Sequence, residues 1–105
     1  MNTSAASVVV YVTYQGTPQD RFDRDYYVAV HLPLVRKAWG QYGLLSVTAL
    51  FPAPARDGTV ALCECIFRDE DAVEAALASP EASAVMADVP RYTALAPRRF
   101  RAVAL

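Results

Sequence analysis

Apolar residues along this chain recur with two periods, and the periods alternate. Residues 7–14, SVVVYVTY, are β-branched and aromatic and predict a strand. Val8, Val10, Val12 and Tyr14 share one face; Val9, Tyr11 and Thr13 share the other. Residues 44–51, LLSVTALF, predict a second strand, with Leu45, Val47, Ala49 and Phe51 opposite Leu44, Ser46, Thr48 and Leu50. Residues 59–67, TVALCECIF, predict a third, with Val60, Leu62, Glu64 and Ile66 opposite Ala61, Cys63, Cys65 and Phe67. Residues 98–105, RRFRAVAL, close the chain as a fourth strand. The stretches after the first and third strands carry helical spacing instead.

The first helix is expected to begin at Thr17-Pro18, with Asp20 completing a capping box, and to stop at Gly40. Charges at four-residue spacing, Asp20 with Arg24 and Arg21 with Asp25, suit a solvated face. From Tyr27 onward the segment is apolar almost all round, which predicts burial on several sides. Its single histidine, His31, precedes Pro33, whose missing N–H kinks or breaks the helix there. On an ideal wheel His31 lies opposite Phe22, so both face the sheet only if that irregularity rotates the helix. The second helix is capped by Asp69, carries Glu70 and Asp71 in its first turn, and is expected to restart at Ser79-Pro80-Glu81. Pro90 ends it.

The order βαββαβ predicts one α+β domain over residues 1–105. It is a ferredoxin-like, four-stranded antiparallel sheet of spatial order 4-1-3-2 with both helices on one face. Right-handed crossover is expected to return the third strand parallel beside the first. The other sheet face is then open, yet the first three strands are apolar on both sides, where a wet face should alternate. A second copy covering that face, as an isologous homodimer and a closed dimeric α+β barrel, is the simplest expectation.

Composition sharpens this. Hydrophobic residues make up 54% of the 105, above the usual share of about 45–50%, and no run of membrane-spanning length holds the excess. Ten basic and eleven acidic residues give a net charge of −1, so neither nucleic acid nor a membrane surface is an expected partner. The opening MNTSAAS has no leader pattern, and the expected location is cytoplasmic. Cys63 and Cys65 point the same way on their strand, a poor disulfide geometry, and make no zinc set. They read as small buried hydrophobes. Metal and cofactor are both expected to be none. Glu64, alone in an apolar strand, reads either as a partly exposed or interface salt bridge, with an arginine of the last strand as a candidate partner, or as an acid of raised pKa in the cleft. Arg98, Arg99 and Arg101 protect that edge or recognise a carboxylate, with alternate residues pointing opposite ways.

Tyr14 ending a strand, then Phe22, Tyr26-Tyr27, His31-Leu32-Pro33-Leu34 and Gly43-Leu44, together resemble the ethyl tert-butyl ether degradation (EthD) family. Ser79-Pro80-Glu81 and the strand after Tyr92 extend the resemblance over nearly the whole chain. It implies a dimeric α+β barrel and a role in small-molecule degradation or biosynthesis, without fixing one reaction. Similar proteins serve oxidative ether degradation, isomerise methyl-substituted muconolactones, or cyclise aromatic polyketides. In the lactone isomerase the matching histidine is thought to move a proton. His31 is therefore the candidate acid–base residue, its free pKa lying nearest neutrality. Tyr14, Tyr26 and Tyr27 are candidate donors to an oxyanion, and Trp39 and Phe51 candidate walls for a flat, apolar or aromatic ligand. Three functions follow: a cofactor-independent enzyme on a small carbonyl, lactone or aromatic compound; a non-catalytic carrier for an oxidative system; and a haem protein ligated by His31.

Overall fold

The computed structural model describes residues 7–102, so the last three residues assigned to the fourth strand lie outside it. Strands β1 (Val8–Gly16), β2 (Leu44–Leu50), β3 (Gly58–Phe67) and β4 (Pro97–Ala102) form one sheet of order β2-β3-β1-β4. This is the expected 4-1-3-2 arrangement. Every pairing is antiparallel, including β1 with β3, so the parallel return of the third strand is wrong. The crossover brings β2 back one strand's width away from β1, and β3 fills the gap by its hairpin with β2. The helices pack on one face, over Val10, Tyr14, Ala61, Cys63, Cys65 and Phe67.

The first helical segment, α1 (Arg24–Tyr26), begins later than Thr17-Pro18 predicts. Thr17 and Asp20 do bond reciprocally, Thr17 N–H donating to Asp20 Oδ2 at 2.7 Å, but they close a turn. Phe22 then makes an isolated β-bridge to Thr93, and an extended backbone cannot also be helical. Asp23 caps instead, accepting from Tyr26 N–H at 3.0 Å. The predicted charge pairs do not form. Arg21 donates to the carbonyls of Pro90 and Arg91, and Arg24 lies 4.6 Å over the Phe51 ring.

A π-helical turn, Tyr27–His31, joins α1 to α2 (Leu32–Trp39). Gly40 continues the helix as a 3-10 turn, and the left-handed stop is Gly43, at φ 110°. A Cβ at Gly43 would also come within 2.6 Å of Ala72 Cβ. The burial expected on several sides of this helix fails at Val28 and Val30, which are 49% and 45% exposed in the subunit.

A bulge between Leu44 and Ser46 resets the faces of β2. Leu44 therefore joins Val47 in the core, and Leu45 is exposed, against the strict alternation expected. Asp69 caps α3 (Glu70–Ala78) as predicted, accepting from Ala72 N–H at 2.8 Å. The helix restarts straight after Ser79-Pro80-Glu81, as expected, but Ser79 does not cap it. Its hydroxyl donates back to Ala76 O, and α4 (Ala82–Ala87) has no side-chain cap. A 3-10 turn, Val89–Arg91, contains Pro90 and leads to Tyr92.

Candidate active site

His31 reaches the interior through the irregular turn around it. Leu32 N–H bonds to Tyr27 O, five residues back, which widens the helix just ahead of the N–H that Pro33 lacks. Phe22, outside the helix, no longer competes for the same face. Tyr27 and His31 stack with ring centroids 5.2 Å apart and 17° between planes. Both are buried.

The imidazole is held at both nitrogens. Nδ1 lies 2.9 Å from Asp88 Oδ2, so the Nδ1–H donates to the carboxylate and Nε2 keeps its lone pair. Tyr92 Oη lies 3.4 Å from Nε2 and 2.7 Å from Tyr14 Oη. The first contact is long for an O–H···N bond and the second is strong. The result is a chain of polar groups, Asp88–His31–Tyr92–Tyr14, through an otherwise apolar core. Phe22 seals one end of it, its ring 5.1 Å from Tyr14 and 5.2 Å from Tyr92.

Burial draws the His31 pKa below its ordinary value, and the bond to Asp88 offsets only part of this. The ring is neutral near pH 7. Burial pushes Asp88 the other way, but hydrogen bonds from Tyr26 and His31 and the nearby Arg91 outweigh it and hold the carboxyl below its usual range. Burial raises Tyr14 and Tyr92, so both hydroxyls stay protonated and able to donate.

A cavity of about 100 Å³ opens between sheet and helices beside this chain. His31, Tyr14, Tyr27 and Trp39 line it, as do Cys63 and Cys65. The two cysteines are free, with Sγ atoms 3.8 Å apart. Either thiol can donate to the other; this contact holds the Cys63 thiol down, and the same contact, with burial, pushes Cys65 up.

Four of the six predicted site residues thus meet at one cavity. Tyr26 stands behind it, its hydroxyl donating to Asp88 Oδ1 at 2.6 Å, so it braces the carboxylate. Phe51 is not brought to the cavity; it packs on Phe22 and under Arg24. Asp88 and Tyr92 were not anticipated. The signal for them is faint, a carboxylate and a phenol four residues apart after an alanine-rich helix. Glu64 accepts from Tyr11 at 2.8 Å on the open sheet face, not from an arginine of the last strand.

The fold has known counterparts. The family model of the EthD domain matches residues 15–96. An EthD-like protein from Ralstonia eutropha is similar at 25% identity and a TM-score of 0.81, over 93% of this chain and 91% of that one. An EthD family protein from Bacillus halodurans gives 18% identity and 0.67, over 91% and 99%. SnoaB, a cofactor-independent oxygenase from Streptomyces nogalater, gives 17% and 0.55, over 94% and 93%. No curated protein matches the chain. The family match spans most of the residues, and the chain belongs to the EthD family.

Proposed function

We propose that the chain forms a homodimer through its open sheet face and is a cofactor-independent enzyme moving protons on a small apolar, lactone or aromatic compound. The observation that carries this is the hydrogen-bonded chain Asp88–His31–Tyr92–Tyr14 at a cavity wall. A neutral imidazole with its Nδ1–H fixed by a carboxylate presents Nε2 as a base. The long contact to Tyr92 is weak enough for a substrate hydrogen to take its place. As Nε2 accepts that proton, Asp88 stabilises the imidazolium. The Tyr14 hydroxyl, in the same wall, donates to the oxyanion that develops on the substrate.

A haem iron at Nε2 would have to displace the Tyr92 contact there, and the cavity of about 100 Å³ is far smaller than such a ligand, so the residues present do not fit that group. The second sheet face supports the dimer. Leu50 and Phe100 lie exposed on it beside Leu62, Ile66 and Val9.

The test is turnover of a panel of small lactones and hydroxylated aromatics by the wild type and His31→Ala. A fall of about 10²–10⁴-fold with unchanged circular dichroism is expected. Saturable binding with no turnover in either protein would make it a carrier and overturn the enzymatic reading.

A further inference from the structure

We infer that Arg99 is the anion-recognising residue of the His31 cavity, and that the ligand is a small planar acid with its carboxylate at the β4 rim. This rests on the proposal that the cavity is the ligand site, and it narrows the ligand class.

The register of the sheet places the residue. Ala49, Cys63, Val12 and Arg99 pair across the four strands in one row. Directly opposed residues share a face, so Arg99 lies on the helix side, and with Cys63 and Val12 it lines the cavity. The other two arginines of the strand are employed elsewhere. Arg98 pairs with Thr13 in a row that includes Leu62, on the open face. Arg101 is held by both carboxylate oxygens of Glu70 at the start of α3. Arg99 meets no carboxylate among the described residues.

The rest of the wall fits an anion and offers it no rival. No Asp or Glu lines the cavity. Asp88 sits behind His31 and is already shared by His31 and Tyr26. Trp39, in the same wall, has a buried indole N–H with no acceptor among the described residues. The floor between Arg99 and His31 is apolar or aromatic. A flat acid can therefore lay its ring on Val12 and Tyr27, place its charge on the exposed guanidinium, and bring an acidic hydrogen toward Nε2. A guanidinium suits this because its planar fork can hold a carboxylate through two hydrogen bonds. The ion pair sits at a wet rim, so its effect is moderate and falls with salt.

The single tryptophan is a reporter inside the site. Titrating the full chain with benzoate and with benzamide, its neutral isostere, should quench Trp39 saturably, with benzoate about two- to fivefold tighter. In Arg99→Met the ratio should fall to about one with benzamide affinity unchanged; Arg99→Lys should restore part of it and Arg98→Met none of the loss. A benzoate preference that survives Arg99→Met would overturn the assignment and leave the cavity as the ligand site. Absence of any Trp39 response to either compound in the wild type would overturn both.

Discussion

The two faces of the sheet have similar apolar content and opposite polar organisation. On the helix face, four polar groups are joined end to end inside the core, from Asp88 to Tyr14. On the open face Tyr11 bonds Glu64, and Thr13, Thr48 and Arg98 lie dispersed among Val9, Leu62 and Ile66, with Phe100 50% exposed and Leu50 46% exposed. A buried polar group costs stability unless it is satisfied, so it is kept where it does something or where it fixes a structure. An exposed apolar row has the opposite meaning: it waits for a surface. On the proposed reading, one face carries the chemistry and the other the association.

The largest expected effect comes from breaking the open face. In an isologous dimer each substitution acts twice. Leu50→Asp with Phe100→Asp places four carboxylates in the seam, and the dimer should weaken by about 10³-fold or more. Sedimentation at micromolar concentration reads this directly, and the far-ultraviolet spectrum should stay unchanged. A wild type that sediments as a single subunit under the same conditions would sink the dimer.

The next effect is on the helix face and tests its polarity, leaving its shape alone. Asp88→Asn keeps an acceptor for Tyr26 but can turn an N–H₂ toward His31 Nδ1. The imidazole then carries its proton on Nε2 and has no lone pair for substrate. Turnover should fall by about 10²-fold or more while stability changes by only about 1–3 kcal/mol. A structural role alone would couple the two losses, and an Asp88→Asn variant that keeps the wild-type rate would contradict the mechanism.

Much of this contrast could be read along the chain. Alternation placed Ala61, Cys63, Cys65 and Phe67 in the core and put their neighbours outside. The doubly apolar strands pointed to an apolar second face, and Leu50 and Phe100 lie exposed on it. The capping of α3 by Asp69 is local chemistry, three residues long, and it was legible for that reason. What escaped were contacts made across the fold. Thr17-Pro18 has every local mark of a helix start, and a bridge from Phe22 to Thr93, seventy-one positions away, prevents it. Asp88 carries no local sign of its partner because His31 lies 57 residues earlier. The bulge at Leu44–Ser46 depends on pairing with β3, so alternation read along β2 alone inverts its first residues.

The smallest effect separates a buried base from a buried ion pair, which the same His31–Asp88 contact could in principle be. Burial lowers the His31 pKa from 6.5 despite the carboxylate. Above pH 6.5 the ring is neutral in both folded and unfolded chains, and its contribution to stability is fully present. As pH falls below 6.5 the unfolded chain takes up a proton that the folded one refuses, so stability declines until the lowered folded value is passed. The slope for one group cannot exceed about 1.4 kcal/mol per pH unit. Asp88, whose pKa is also lowered, from 3.8, adds a separate loss at more acidic pH as its carboxylate is protonated in the unfolded chain first. Urea denaturation across the acid range, at one fixed protein concentration so that dimerisation does not contribute, should show both declines. His31→Gln should erase the upper one and leave the lower. Stability that rises between pH 7 and pH 5 would mean the opposite order of forces: Asp88 would win over burial, the ring would be an imidazolium near neutrality, and Nε2 would have no lone pair with which to act as a base.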